Sequence, residues 1–388
     1  MRMARVMWWR AMVMGFVLTT SGAAMASSCA WPDWDHFRQT TLSKDGRVID
    51  ASTPEQVTVS EGQAYGLFFA LVANDRPTFD LLLTWTQNNL AQGDLSQHLP
   101  AWQWGRRAAK PGEPESWGVL DSNSASDADL WIAYALLEAG RLWHERSYTA
   151  LGTVLAREIL AKETTAIPDL GRTVMPGPVG FQPDKDTWRL NPSYVPLQVM
   201  TRLAQALPTQ TEWRSLLESS RRVLVETAPR GYSPDWILYR RGKGFQPDEA
   251  SQAESAYNAI RVYLWAGTMA PNTASRDAVL ATFRPLADDV AARGAPPERV
   301  DTRTGEAGKH DGNAGFSAAV APYLAALGRN DLAQAQVERA RSLARQSPLG
   351  YYSQVLALFG LGYLDGQYRF DADGTVVPAW KTSCPAPR

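Results

Sequence analysis

The chain has 388 residues, with 39 basic and 40 acidic side chains and a net charge of −1. That balance leaves no electrostatic footprint for nucleic acid or an anionic lipid surface, so an uncharged partner is expected. Fifteen tryptophans and thirteen tyrosines agree with a neutral sugar polymer, whose C–H faces stack on aromatic rings, although most such rings belong to a core.

At the N-terminus, Arg2, Arg5 and Arg10 accompany an apolar run at 12–18, followed by Ala24-Met25-Ala26. This is the pattern of a secretory signal peptide over residues 1–26, with an apolar part too short to span a bilayer, and it predicts an exported, soluble protein. No later stretch is long and apolar enough to cross a membrane. Residues 27–388 read as one domain, since no linker or change of composition divides them. The two cysteines, Cys29 and Cys384, sit near the ends of the mature chain. In an oxidising compartment they can pair, closing a loop whose entropy stabilises the fold by on the order of 4–5 kcal/mol; two free thiols on frayed ends are the other reading. Four histidines and two terminal cysteines supply no cluster with metal-ligand spacing, so neither a metal nor an organic cofactor is expected. Asp371-Ala372-Asp373-Gly374 opens like a calcium loop, but Thr382 stands where the twelfth-position acid belongs, and a β-turn is predicted instead.

Apolar periodicity predicts helices over residues 61–73, 77–90, 127–142, 148–162, 192–205, 211–226, 251–265, 275–293, 315–327, 331–345 and 351–361. They alternate in character. Those at 127–142, 251–265 and 315–327 are rich in Ala, Gly, Tyr and Trp, which suits a crowded inner layer, whereas their successors carry charge on one face and suit an outer one. Repeated helix hairpins of this kind fit an all-α toroid. The long polar stretches at 92–126 and 168–191 are expected to form walls or lids, and short strands at 231–240 and 366–377 to form rim hairpins.

Two of these helices open on an acid. Ser60-Glu61-Gly62-Gln63-Ala64-Tyr65-Gly66 places Glu61 in a first turn, with Ser60 and Gln63 spaced as a capping box. Asn123-Ser124-Ala125-Ser126-Asp127-Ala128-Asp129 does the same for Asp127. Taken singly, each acid is explained by the helix dipole. Together, two carboxylates at helix starts suit the general-acid and charge-holding chemistry of glycosidic bond cleavage.

The segment Ala125-Ser126-Asp127-Ala128-Asp129, continuing through Ile132-Ala133, Ala135-Leu136-Leu137, Ala139 and Trp143, resembles the long helical signature of glycoside hydrolase family 8. Similar blocks are the Glu61 segment, Asn191-Pro192-Ser193-Tyr194, Ser233-Pro234-Asp235-Trp236, Tyr257-Asn258-Ala259-Ile260-Arg261 and Gly315-Phe316-Ser317-Ala318-Ala319, so that the likeness runs from about Trp31 to Trp380. It implies an (α/α)6 barrel of six inner and six outer helices and an endo-β-1,4-glucanase acting on cellulose chains. It also implies a monomer at work in the periplasm, alongside a cellulose synthase. Glu61 matches the family's proton donor, and Asp127 the aspartate that holds the distorted sugar ring. Asp129 is expected to be structural.

The resemblance further implies an inverting mechanism whose water-activating base precedes Ala259-Ile260-Arg261. Here that residue is Asn258, an amide that can orient a water through its carbonyl oxygen yet cannot take its proton. Asp127, Glu254 and Asp235 are the candidate substitutes, and a non-catalytic glucan-binding protein is the rival reading. Xylan and chitosan are alternative polymers for the same fold. Arg261, three residues on, is expected to hold the site. Trp102, Trp104, Trp117, Tyr194, Trp236 and Tyr257 are the expected sugar-stacking aromatics.

Overall fold

A computed structural model describes residues 30–107, 114–382 and 384. The leader at 1–26 and Cys29 lie outside the described residues. Cys384 is disulfide-bonded.

The helices, in chain order, are α1 (Pro32–Thr41), α2 (Ser60–Val72), α3 (Arg76–Leu90), α4 (Ser126–Leu142), α5 (Arg146–Lys162), α6 (Leu197–Ala206), α7 (Glu212–Glu226), α8 (Ile260–Thr268), α9 (Arg276–Thr282), α10 (Arg284–Arg293), α11 (Ala314–Ala326), α12 (Asn330–Gln346), α13 (Tyr351–Leu364) and the short α14 (Ala379–Thr382). Burial sorts them into two layers. All of α8 is buried, as is all of α2 but Glu61 and all of α4 but Arg141. By contrast α12 buries one stripe, Ala333, Gln336, Val337 and Ala340, and leaves its charges outside. Helices α2, α4, α6, α8, α11 and α13 form the inner ring, and α1, α3, α5, α7, the α9–α10 pair and α12 surround it, giving an (α/α)6 barrel.

The ring closes through specific contacts. Gln198 Nε2 on α6 donates to Trp265 O and Thr268 Oγ1 on α8. At the other seam Trp31, just before α1, lies against the bare Cα of Gly362 on α13. Aromatic rings fill the middle: Phe68, Trp131, Trp265 and Phe359, from α2, α4, α8 and α13, meet in stacked, tilted and edge-on pairs. This plug closes the bore and forms a floor beneath one end.

Several predicted elements differ in detail. Helix α1 carries too little apolar periodicity to be predicted, since its apolar stripe is only Trp34 and Phe37. The predicted helix at 251–265 begins only at Ile260: Asp235 Oδ1 accepts the N–H groups of Ala256, Asn258 and Ala259, which fixes a turn there, and strand pairing takes the residues before it. The predicted helix at 275–293 breaks at Phe283, just ahead of Pro285. Ser60 is no cap: Val59 holds the N-cap position, and Gln63 is buried, accepting Val48 N–H and donating to Gly46 O and Thr86 Oγ1.

The two long polar stretches are not bare loops. The first carries a hairpin of β2 (Gln103–Arg107) and β3 (Ser116–Asp121), with β2 also pairing β1 (Thr58–Val59). Next come the hairpin β4 (Thr164–Ile167) and β5 (Gly171–Val174), then the sheet β6 (Thr187–Leu190), β7 (Ile237–Arg240) and β8 (Gly244–Pro247). β9 (Glu254–Ser255) pairs β10 (Val300–Asp301). β11 (Tyr368–Phe370) and β12 (Val376–Pro378) flank the turn expected at 371–374, where Gly374 has φ +80°. Among the described residues no helix is long and apolar enough to cross a membrane.

Inner helices approach so closely that some positions admit no side chain. A Cβ on Gly360 of α13 would overlap Ala318 O of α11. Gly360→Ala is therefore expected to cost about 1–3 kcal/mol or more by overpacking, read as a lower denaturation midpoint at unchanged slope.

Candidate active site

Each inner helix contributes a residue from its first turn, or from the turn before it, to one end of the barrel. Glu61 and Tyr65 come from α2, Asp127 from α4, Ser193 and Tyr194 from the 3-10 turn Pro192–Tyr194 ahead of α6, and Asn258 and Arg261 from the start of α8. Phe316 of α11 and Tyr351 and Tyr352 of α13 complete the ring.

Arg261 joins them. Its buried guanidinium donates through Nη1 to Asp127 Oδ2 (3.0 Å) and Tyr65 Oη (3.2 Å). Through Nη2 it donates to Ser193 Oγ (2.9 Å) and Asn258 Oδ1 (2.8 Å), and its carbon lies 5.6 Å from the centre of the Tyr194 ring. Asp127 is almost wholly buried, and its other oxygen accepts Ala128 N–H at 2.8 Å. Burial pushes the Asp127 carboxyl up while Arg261 pulls it down.

Glu61 has no such partner. Its Oε2 is buried without a hydrogen bond, although the residue as a whole is partly exposed. Desolvation, and then the neighbouring Asp127, push its carboxyl up to about 8, against the pull of Arg261 and of its own backbone N–H. A carboxyl that keeps its proton at neutral pH while one side stays open is suited to general-acid work. Tyr351 stands close by: a Cβ on Gly62 would lie 2.9 Å from its hydroxyl, so the glycine leaves room for it.

The Asn258 amide has a fixed orientation. Its Oδ1 accepts from Asn191 Nδ2 (3.1 Å) as well as from Arg261, while its Nδ2 bonds to nothing among the described residues. The carbonyl oxygen expected to orient a water is thus already engaged, and the side chain offers a ligand donors. The candidate substitute bases are also committed. Asp235 Oδ1 takes three backbone N–H groups, Glu254 pairs with Arg299, and Asp127 pairs with Arg261. Asp129 is fully buried.

The predicted aromatics form two groups. Trp104 and Trp117 stack at 5.6 Å with Arg47 against both rings, and Trp85 of α3 meets Trp104 edge-on. Trp102 packs on the core beside them and hydrogen-bonds Asp121. Opposite in sequence, Trp236 stacks on Phe181 at 5.8 Å, touches Tyr194 and carries Arg189 over its face. Tyr257 is held by Phe316 and Glu298, and its carbonyl accepts from Tyr352 Oη. Tyr65, Asn191 and Ser193 lie inside segments that carry the family likeness but have no role assigned from the sequence, and Tyr65 also lies one helical turn beyond Glu61. Tyr351, Tyr352 and Phe181 carry no local signal.

The profile of glycosyl hydrolases family 8 matches residues 4–366. The chain belongs to this family. It is 45% identical over 373 residues to an endoglucanase of Escherichia coli O157:H7, covering 95% of this chain and 96% of that one. The solved endo-1,4-D-glucanase of Vibrio fischeri ES114 superposes with a TM-score of 0.85 at 45% identity, over 91% of this chain and 100% of that one. A family 8 endoglucanase of Klebsiella pneumoniae gives a TM-score of 0.68 at 25% identity, over 86% and 99%. The comparisons thus make the protein a glycoside hydrolase, and the barrel is the fold of its solved relatives.

Because Glu61 must be protonated to act as the acid, kcat/KM is expected to fall as the pH rises through about 8. A pH–rate profile checks this; a plateau extending well above that value would place the acid elsewhere.

Proposed function

We propose that the protein is an exported endo-β-1,4-glucanase that cleaves cellulose chains with inversion. The observation that carries this reading is the pairing of a proton-retaining Glu61, whose Oε2 has no hydrogen-bond partner, with a buried Asp127–Arg261 ion pair. The relatives named endoglucanase support the same activity.

In this mechanism the glucan lies across the barrel end. Asp127, held by Arg261, grips the ring being cleaved, and Glu61 gives its proton to the departing glycosidic oxygen as the C1–O bond breaks. Water adds to C1 from the opposite face. Residue 258 accepts no proton, so the excess proton of the added water passes to solvent, and Glu61 is then reprotonated. An oxocarbenium-like transition state tolerates this because C1–O cleavage runs ahead of water attack. The aromatic groups around Trp104 and Trp236 bind sugar rings along the chain.

The basic, apolar and small-residue pattern at 1–26 supports export to the periplasm. There the mature chain acts as a monomer on the product of a cellulose synthase, with Cys29 bonded to Cys384.

Two measurements test the chemistry. Glu61→Gln is expected to lower turnover on carboxymethyl-cellulose by ~10²–10⁴ with cello-oligosaccharide affinity nearly intact, and wild-type turnover in that variant refutes the assignment. Asn258→Asp keeps the acceptor for Asn191 and Arg261 and adds a second carboxylate oxygen where the Nδ2 now stands. Turnover is expected to rise about tenfold or more. No gain in reducing-end release would show that another group already takes the proton from water.

A further inference from the structure

Behind Asp127 lies a second pair of carboxyls that the proposed reaction does not touch. Asp129, in the first turn of α4, and Glu163, at the C-cap of α5, are both completely buried. Glu163 Oε1 accepts the Ser124 hydroxyl at 2.6 Å. Among the described residues no donor reaches Glu163 Oε2 or either oxygen of Asp129, yet the two carboxyls lie within hydrogen-bonding reach of each other.

Two ionised carboxylates cannot face each other in such a place, because desolvation and mutual repulsion both oppose the second charge. A single proton turns the clash into a charge-assisted O–H···O bond. Ser124 already donates to Glu163, which marks Glu163 as the acceptor and Asp129 as the proton carrier. Among the described residues no cation bonds to the pair, and Lys162, next to Glu163 in the chain, pulls the Glu163 carboxyl down only through space. Lys162 turns its ammonium to Glu158 and Gln97 O, and Arg172 on β5 is engaged with Thr164 and Leu160 O. Arg261 of α8 is committed to Asp127. The other groups facing the pair are acids, Asp127 of α4 for both and Glu61 of α2 for Asp129. Burial pushes both carboxyls up, in keeping with a retained proton. The pair is also tied to the frame of the site, since Ser126 N–H donates to Pro176 O and Met175 N–H to Glu163 O.

We propose that Asp129 and Glu163 share one proton and act as positioning residues, presenting a single buried negative charge behind Asp127 that helps Glu61 keep its own proton. This rests on the reading of Glu61 as the general acid. In each single amide variant, Asp129→Asn or Glu163→Gln, a permanent N–H replaces the shared proton, so the pair keeps one negative charge. The double variant has none.

The experiment uses the mature chain and has two readouts. In a Glu61→Gln background, infrared spectroscopy at neutral pH is expected to show a protonated-carboxyl C=O band that either amide variant abolishes. In the otherwise wild-type chain, each single variant should leave the alkaline limb of the kcat/KM profile in place, while the double variant moves it down by about one pH unit. A band that survives both single variants, or a single variant that moves the limb as far as the double, overturns the shared proton. The infrared readout does not depend on catalysis, so a failure of the Glu61 assignment leaves it unaffected. Because both singles predict the same loss of the band, one that fails to fold leaves the other to decide.

Discussion

The guanidinium of Arg261 is the cation on which this barrel end is built. Its four hydrogen bonds reach Asp127, Tyr65, Ser193 and Asn258, and so join residues from α2, α4, the turn before α6 and α8. A buried charge of this kind is tolerable only with its partner in place, which makes Asp127 and Arg261 conditions for each other. Each bond also has a geometric effect. The fork aligns Asp127, turns the Asn258 carbonyl inward and packs against Tyr194. Glu61 receives no bond from the fork, so that desolvation and the Asp127 charge prevail over the through-space pull of Arg261 and push its carboxyl up.

Two effects of opposite sign meet at Glu61. The start of α2 favours a carboxylate, as helix N-termini do in general. Desolvation, together with the Asp127 charge, favours the neutral acid, and these outweigh the pull of Arg261 and of the Glu61 backbone N–H. The floor exists because inner helices pack with glycine and alanine at their crossings while Phe68, Trp131, Trp265 and Phe359 fill the centre. Packing of the barrel and protonation of the acid thus have one physical cause. The same exclusion of water governs Asp129 and Glu163, one layer further in.

The site is asymmetric in its chemistry. One side has a carboxyl that holds a proton, and the other has an amide whose oxygen is occupied and whose nitrogen accepts nothing. In the proposed reaction, leaving-group departure is therefore better supported than deprotonation of the incoming water. Asp235 explains why the peptide around residue 258 is nonetheless so well ordered: its carboxylate gathers three backbone N–H groups of that turn.

Much of this was legible in the chain. Glu61 and Asp127 stood out because a first-turn acid ahead of small, apolar helical spacing is a local pattern, and so were most of the helices. The layering of small-residue helices inside charged ones was readable for the same reason. Local pattern failed where a distant group set the backbone. Ala256 to Ala259 read as helix, but Asp235, more than twenty residues earlier, takes their N–H groups. Ser60 and Gln63 read as a capping box, but Gln63 is drawn inward to the peptides of Gly46 and Val48. Tyr351 and Tyr352 reach the acid only because α13 closes the ring beside α2. Likewise, the sequence places an amide at 258 but cannot say which end of it faces a ligand, since Asn191 and Arg261 decide that from other elements. By itself the sequence determined which side chains are available and which helices carry them. The tertiary structure decided their charge and orientation, because both depend on burial and on partners brought together only by closure of the barrel.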